Sequence, residues 1–159
     1  MIAVKVICIG KLKEKYLSEA INEYTKRLSR YCSFSLKELN EAFLPESPND
    51  AEILRALDIE ADAVLKEMGK DYSVALCIEG KQLSSNELAE KISEIALNGA
   101  SKINFIIGSS HGLSNRVKEK CSLKLSFSKM TFPHQLFRVL LLEQIYRSFS
   151  INSGSKYHK

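Results

Sequence analysis

Glycine and proline are scarce in this 159-residue chain, numbering seven and three. That shortage excludes a disordered, low-complexity or collagen-like polymer. Long apolar runs are missing too. The opening MIAVKVICIG falls well short of the roughly 20 residues that span a bilayer. It also lacks the basic start, long apolar stretch and cleavage site of a signal peptide. A cytosolic protein with no membrane contact is expected. No Cys-x-x-Cys pair occurs. Cys8, Cys32, Cys77 and Cys121 are widely spaced, so buried reduced thiols are expected rather than a disulfide, a metal set or a nucleophile. The dinucleotide fingerprint G-x-G-x-x-G is absent, as are internal repeats and linkers.

What the chain has is a core. Apolar residues make up 45% of it. A domain of this length buries roughly 70% of its unfolded surface. Residues 1–159 are therefore expected to form one domain. Charge is uneven: the total is +4, but from Arg116 onward nine Lys/Arg face two Glu. A basic C-terminal third on a near-neutral body suits a polyanionic partner such as nucleic acid, or is simply a solvated face.

Hydrophobic periodicity predicts alternating strands and helices. Residues 2–9 read as a β-branched strand ending at Gly10. A helix over about 14–31 carries Leu17, Ala20, Ile21, Tyr24, Leu28 and Tyr31 on one face. Residues 33–39 alternate as a half-exposed strand. A helix over 51–68 follows, with Asp50 as its expected cap and an apolar face of Leu54, Leu57, Ala61, Val64, Leu65 and Met68. Strands are expected at 72–78, 103–107 and 121–127, with a Ser84/Glu87 capping box opening the helix between the first two. A short helix or turn is expected over 114–120. Pro133 opens a last helix running to about Phe149, and a polar tail closes the chain. This alternation implies an α/β fold: a mostly parallel sheet with helices on both faces.

Three segments stand out. Gly108-Ser109-Ser110-His111-Gly112 follows an apolar strand, where open α/β sheets bind ligands. It also matches G-x-S-x-G, the elbow of α/β-hydrolases. Ser110 with Glu119 or Glu143 and His158 would even follow the hydrolase chain order. LSFSKMTFPHQLFR, residues 125–138, mixes an apolar wall with the free N–H groups of a helix start, as small-molecule pockets do. His134 within it is either a base or a residue meeting local hydrogen bonds. The last helix is apolar almost all round, so it is buried either inside the monomer or against a second copy. Arg138, Glu143 and Arg147 interrupt it, and each needs a partner or a ligand. The tail gathers Lys156, Tyr157, His158 and Lys159.

These segments resemble the SPOUT-class methyltransferases of the RlmH type over essentially the whole length. The resemblance rests on VKVICIGKLKEKYLSEAINEYTKRL, FIIGSSHG, LSFSKMTFPHQLFRVLLLEQIYRSFSI and the terminal YHK. It implies a homodimer packed through the C-terminal helix, a C-terminal trefoil knot, and S-adenosylmethionine (SAM) as cofactor. It implies methylation of N3 of pseudouridine 1915 in 23S rRNA of the assembled ribosome. Carried over by position, the cofactor contacts are Leu76, Gly108, Phe127, Ser128, Lys129, Met130, Thr131 and Phe132. Arg138 is expected to position substrate or stabilise charge, His158 to accept a proton, and Tyr157 to stack on or bond to the base. One departure stands out: the family usually has Gly-Gly-Ser where this chain reads Gly108-Ser109-Ser110. If positive φ is needed there, Ser109 is strained. The competing expectation is a non-enzymatic ribosome- or RNA-binding protein of the same fold.

Overall fold

In a computed structural model describing residues 1–158, strands and helices alternate along the chain. The order is β1 (Ala3–Ile9), α1 (Lys15–Leu28), β2 (Ser33–Leu39), α2 (Asp50–Met68) and β3 (Tyr72–Gln82). Then come α3 (Ser85–Leu97), β4 (Lys102–Ile107), α4 (Asn115–Lys120), β5 (Leu123–Ser126) and α5 (His134–Asn152). All five strands are parallel, in the order β2-β1-β4-β3-β5. Every strand therefore ends on the same edge, and so do the loops that follow.

Side chains alternate across a strand, so the apolar runs of β1 and β4 feed two cores. Val4, Val6 and Cys8 join Ile103, Phe105 and Ile107 beneath α1, α3 and α5. Ile7 and Ile9 join Ile106 beneath α2 and α4. Each fully buried Leu or Ile contributes about 1.5–3 kcal/mol of transfer free energy. β2 lies at the sheet edge, and its polar alternate positions are exposed as its pattern predicts.

Several details differ from the sequence expectation. Asn49, not Asp50, caps α2: its side chain accepts from Glu52 N at 2.8 Å in a capping box. The buried face of α2 is rotated toward Ala56, Glu60, Ala61, Val64 and Met68, leaving Leu54 66% exposed. Glu60 is drawn in because its carboxylate accepts from Ala42 N and from Ser109 Oγ, an attraction that apolar periodicity does not register. α1 stops at Leu28, and the chain turns through residues 29–32 into β2. α5 runs on to Asn152, between α1 and α3, so much of its apolar surface is already buried within one chain. The tail folds back: the Tyr157 ring packs edge-on to Tyr146, with centroids 4.9 Å apart. Lys159 lies outside the described residues.

Candidate active site

The C-terminal ends of β3, β4 and β5 open into one cleft of about 730 Å³. Three loops build it. The first, residues 77–80, exists because β3 pairs with β5 in two registers. Leu76 and Lys81 both lie opposite Leu125, and the residues between them loop out. Gly80 sits where the strands press closest: a Cβ there would lie 2.7 Å from Leu125 backbone atoms. The second loop follows β4. A Cβ on Gly108 would lie 2.2 Å from the Gly112 carbonyl oxygen, so only glycine fits. Gly112 N donates to Ser109 O at 2.8 Å, and Gly112 takes the positive φ of 86° that closes the turn. Among the described residues, positive φ occurs only at glycines, so Ser109 is unstrained. Its hydroxyl reaches Glu60 at 3.4 Å instead.

The third loop, residues 127–133, joins β5 to α5. Ser128 Oγ accepts from Met130 N, and the buried Ser126 hydroxyl donates to Ser128 O, each at 3.0 Å. Among the described residues, the N–H groups of Ser128, Lys129, Thr131 and Phe132 donate no hydrogen bond within the chain. Phe127 and Phe132 pack on Phe137 with centroids 4.8 and 6.3 Å apart, forming an aromatic wall. At the rim, Lys118 Nζ bonds to Glu79, and that contact holds the Glu79 carboxyl below the usual range.

Of the expected cofactor contacts, Leu76, Gly108, Phe127, Ser128, Met130, Thr131 and Phe132 line this cleft together. Lys129 is exposed and points elsewhere. Residues 77–79, Lys118 and Phe137 also line it and were not anticipated. Phe137 had a signal, since it falls inside the 125–138 segment. The 77–79 loop had none beyond its place at a strand end.

The three expected catalytic residues are not brought together. Arg138 is 1% exposed and lies outside the cleft. It donates to Glu38 Oε2 at 2.7 Å and to the Gly10 carbonyl at 2.9 Å. Tyr157 and His158 sit along the later turns of α5. The Tyr157 hydroxyl donates to Glu143 Oε2 at 2.9 Å, and the Arg147 guanidinium lies 4.7 Å from its ring centroid. Burial, then the Glu143 bond, pushes the Tyr157 pKa up, so the phenol keeps its proton. His158 Nδ1 lies 3.2 Å from Arg147 Nη1; arginine can only donate, so this nitrogen accepts. No hydrogen bond among the described residues ties Ser110 to Glu119, Glu143 or His158, and no hydrolase triad forms. The cysteines are free; burial raises the thiol of Cys8 to about 12 and that of Cys121 to about 11. No helix among the described residues is long and apolar enough to cross a membrane.

Comparison with known proteins bears on this cleft. The family model described as "Predicted SPOUT methyltransferase" matches residues 2–158. A Clostridium novyi protein named ribosomal RNA large subunit methyltransferase H is 50% identical, over 98% of this chain and 99% of its own. A Leuconostoc mesenteroides protein of the same name is 49% identical over the same shares. Among solved structures, a probable methyltransferase from Bordetella pertussis aligns with a TM-score of 0.56 at 13% identity, covering 92% of this chain and 93% of its own. The tRNA (m1G37) methyltransferase of Aquifex aeolicus aligns at 0.53 and 12% identity, covering 91% and 69%. At such identities the two structures speak for the fold alone.

Proposed function

This chain belongs to the SPOUT methyltransferase family, and we propose that its three-loop cleft binds SAM and methylates large-subunit ribosomal RNA in the cytosol. The acceptor in this reading is N3 of a pseudouridine in the assembled ribosome, the finer implication of the RlmH resemblance. The observation that carries it is the cleft itself, formed by the bulge within β3 and the loops after β4 and β5. Relatives that share half their residues with this chain and carry a large-subunit rRNA methyltransferase name support the substrate class.

The residues fit SAM. Leu76, Ile107 and Leu125 with the aromatic wall offer apolar surface for a flat purine. The free N–H groups of Ser128, Lys129, Thr131 and Phe132 offer donors to polar groups of the cofactor. A few polar contacts in an apolar cleft is the usual make-up of a cofactor site. When bound, SAM supplies a methyl group activated on a sulfonium. The chain's own task is to hold the ring nitrogen in line and take up its proton. Alignment of two held reactants is worth roughly 7–11 kcal/mol of the barrier.

A homodimer belongs to this reading. Within one chain Tyr157 and His158 stand well away from the cleft, so they would serve the cleft of a second copy. In that cleft Tyr157 would give up its bond to Glu143 and donate to the substrate, and His158 Nδ1, released from Arg147, would accept the ring proton. Leu136, at the start of α5, and Met130 beside it are exposed apolar residues suited to such a contact. The C-terminal trefoil knot of the family also belongs here. The close approach of Gly80 to the β5 backbone supports it, since it leaves no room for a side chain between two segments far apart in sequence.

Transfer of tritiated methyl from SAM is the test, with ribosomes lacking the modification, separated subunits and free rRNA as substrates. Label in large-subunit rRNA, strongest with whole ribosomes, is expected. A folded protein that labels none of them refutes the reading and leaves a ribosome-binding protein.

A further inference from the structure

Beside the cleft lies a second lobe of about 530 Å³, lined by Gly10, Lys11, Lys13, Asn40, Glu41, Ser110, His134 and Gln135. Ser110 and His134 line both cavities, so the two lobes adjoin. We propose that this second lobe is the subsite for the RNA backbone, where Lys11 and Lys13 contact phosphodiesters flanking the methylated nucleotide. The proposal rests on the reading that the first lobe holds the methyl donor.

The lobe is built on a turn that is locked in place. Gly10 takes a positive φ of 99°, and its N–H donates to Leu39 O at 2.7 Å. Its carbonyl accepts from Arg138 at 2.9 Å. Leu12 N donates to Glu38 Oε2 at 2.7 Å, the oxygen that also receives Arg138. Gln135, in the first turn of α5, closes the far side. Its Oε1 accepts from Lys13 N and its Nε2 donates to Lys11 O, each at 3.4 Å. Arg138 is thus a positioning residue: its two terminal nitrogens bond to the Gly10 carbonyl and to the Glu38 carboxylate that holds Leu12, while its Nε is buried without a partner among the described residues.

The turn presents charge in one direction. Leu12 packs on the core, and its neighbours Lys11 and Lys13 both line the lobe. Neither ammonium has a salt-bridge or hydrogen-bond partner among the described residues, although most backbone atoms around them are bonded. Glu41 is the one carboxylate lining the lobe, and it lies 4.0 Å from His134 Nε2 rather than beside either lysine. Two unpaired cations on a fixed backbone, one step from the cofactor cleft, form a site for a polyanion. A polynucleotide strand crossing from the second lobe to the first at Ser110 and His134 would pass them. The fixed backbone spares the cost of ordering the turn on binding and leaves only that of the lysine side chains.

The test measures equilibrium binding of unmodified ribosomes across a salt series, together with SAM calorimetry and methyl transfer. It compares the wild type with the Lys11→Ala/Lys13→Ala and Lys11→Arg/Lys13→Arg proteins. The alanine protein is expected to bind ribosomes about tenfold or more weakly. Its log affinity should fall less steeply with log salt, by about 0.7–0.9 for each phosphate that is no longer neutralised. Its SAM affinity should stay within about twofold of wild type, and the arginine protein should regain both affinity and slope. Wild-type ribosome affinity and slope in the alanine protein would overturn the proposal, even if methyl transfer proceeds. Lysine-dependent binding by a wild type that transfers no methyl would sustain it while removing the methyltransferase reading.

Discussion

The two ends of α5 differ in what they leave unsatisfied. At its first turn the helix borders both lobes. There, among the described residues, the loop before it carries N–H groups without partners, and the nearby turn carries two unpaired ammoniums. At its far end the polar groups are spent on one another: Arg147 on Glu143, Tyr157 on Glu143, His158 on Arg147, with Tyr157 packed on Tyr146. His134 and Arg147 are roughly 20 Å apart along the helix at 1.5 Å per residue. One end borders both lobes; the other gathers acid–base and aromatic groups that line neither. A single chain therefore holds the proposed cofactor cleft and the proposed catalytic tail apart from one another.

The sharpest way to break that contrast is to remove the tail. Truncation before Lys156 should lower methyl transfer by about 10²–10⁴-fold, the usual worth of positioned acid–base groups, while SAM affinity is retained. Full transfer by the truncated protein would remove Tyr157 and His158 from the chemistry. Damage at the other end should look different. Gly108→Ala drives a methyl into the Gly112 carbonyl and displaces the loop. SAM binding and transfer should fall together, by about 10²-fold if the loop moves an ångström.

Arg138→Ala tests the link between the lobes. It leaves Glu38 and the Gly10 carbonyl without their partner. Breaking a fully buried pair costs about 3–5 kcal/mol; Glu38 keeps a third of its side chain in water, so about 2–3 kcal/mol is expected in thermal unfolding. If Arg138 works through the turn, KM for ribosomes should rise more than kcat falls. An equal loss in both would return Arg138 to the reacting atoms.

The smallest effect concerns Glu60, behind the Gly108 loop. Burial raises its pKa above the ordinary carboxylate value. Its favourable contribution is therefore complete below about pH 4.3, the unfolded value, and is lost as pH rises through the folded value. The stability of Glu60→Gln relative to wild type should improve between pH 4 and 7, by on the order of 1 kcal/mol or less. A difference that does not change with pH would mean that Glu60 titrates as it does in the unfolded chain.

The sheet was legible because its signal is local. β1 and β4 are apolar at consecutive positions, as strands covered on both faces must be, and Ser84/Glu87 forms the capping box its spacing announces. Gly108 and the 127–132 loop were legible as ligand positions from a glycine turn after an apolar strand and an apolar segment at a helix start; Leu76, and SAM as the ligand, were legible only through the family resemblance, and the structure does gather these positions, Lys129 excepted. The 77–80 loop was hidden because it arises from a register change between β3 and β5, which are far apart in sequence. The folded tail was hidden for a similar reason: its partners are Tyr146, Glu143 and Arg147, in a helix whose periodicity says only that it is buried. Glu60 and Arg138 lie on buried faces because of hydrogen bonds across 49 and 128 residues of sequence separation.

Mixed dimers test the division of labour most directly. The tail-truncated protein and Gly108→Ala are combined, dissociated and reassociated, then assayed for methyl transfer to unmodified ribosomes. Each alone should be nearly inactive. Transfer that reappears on mixing, from dimers pairing an intact cleft with an intact tail on the other subunit, is the predicted result. No recovery on mixing, with heterodimers shown to form, would contradict the account.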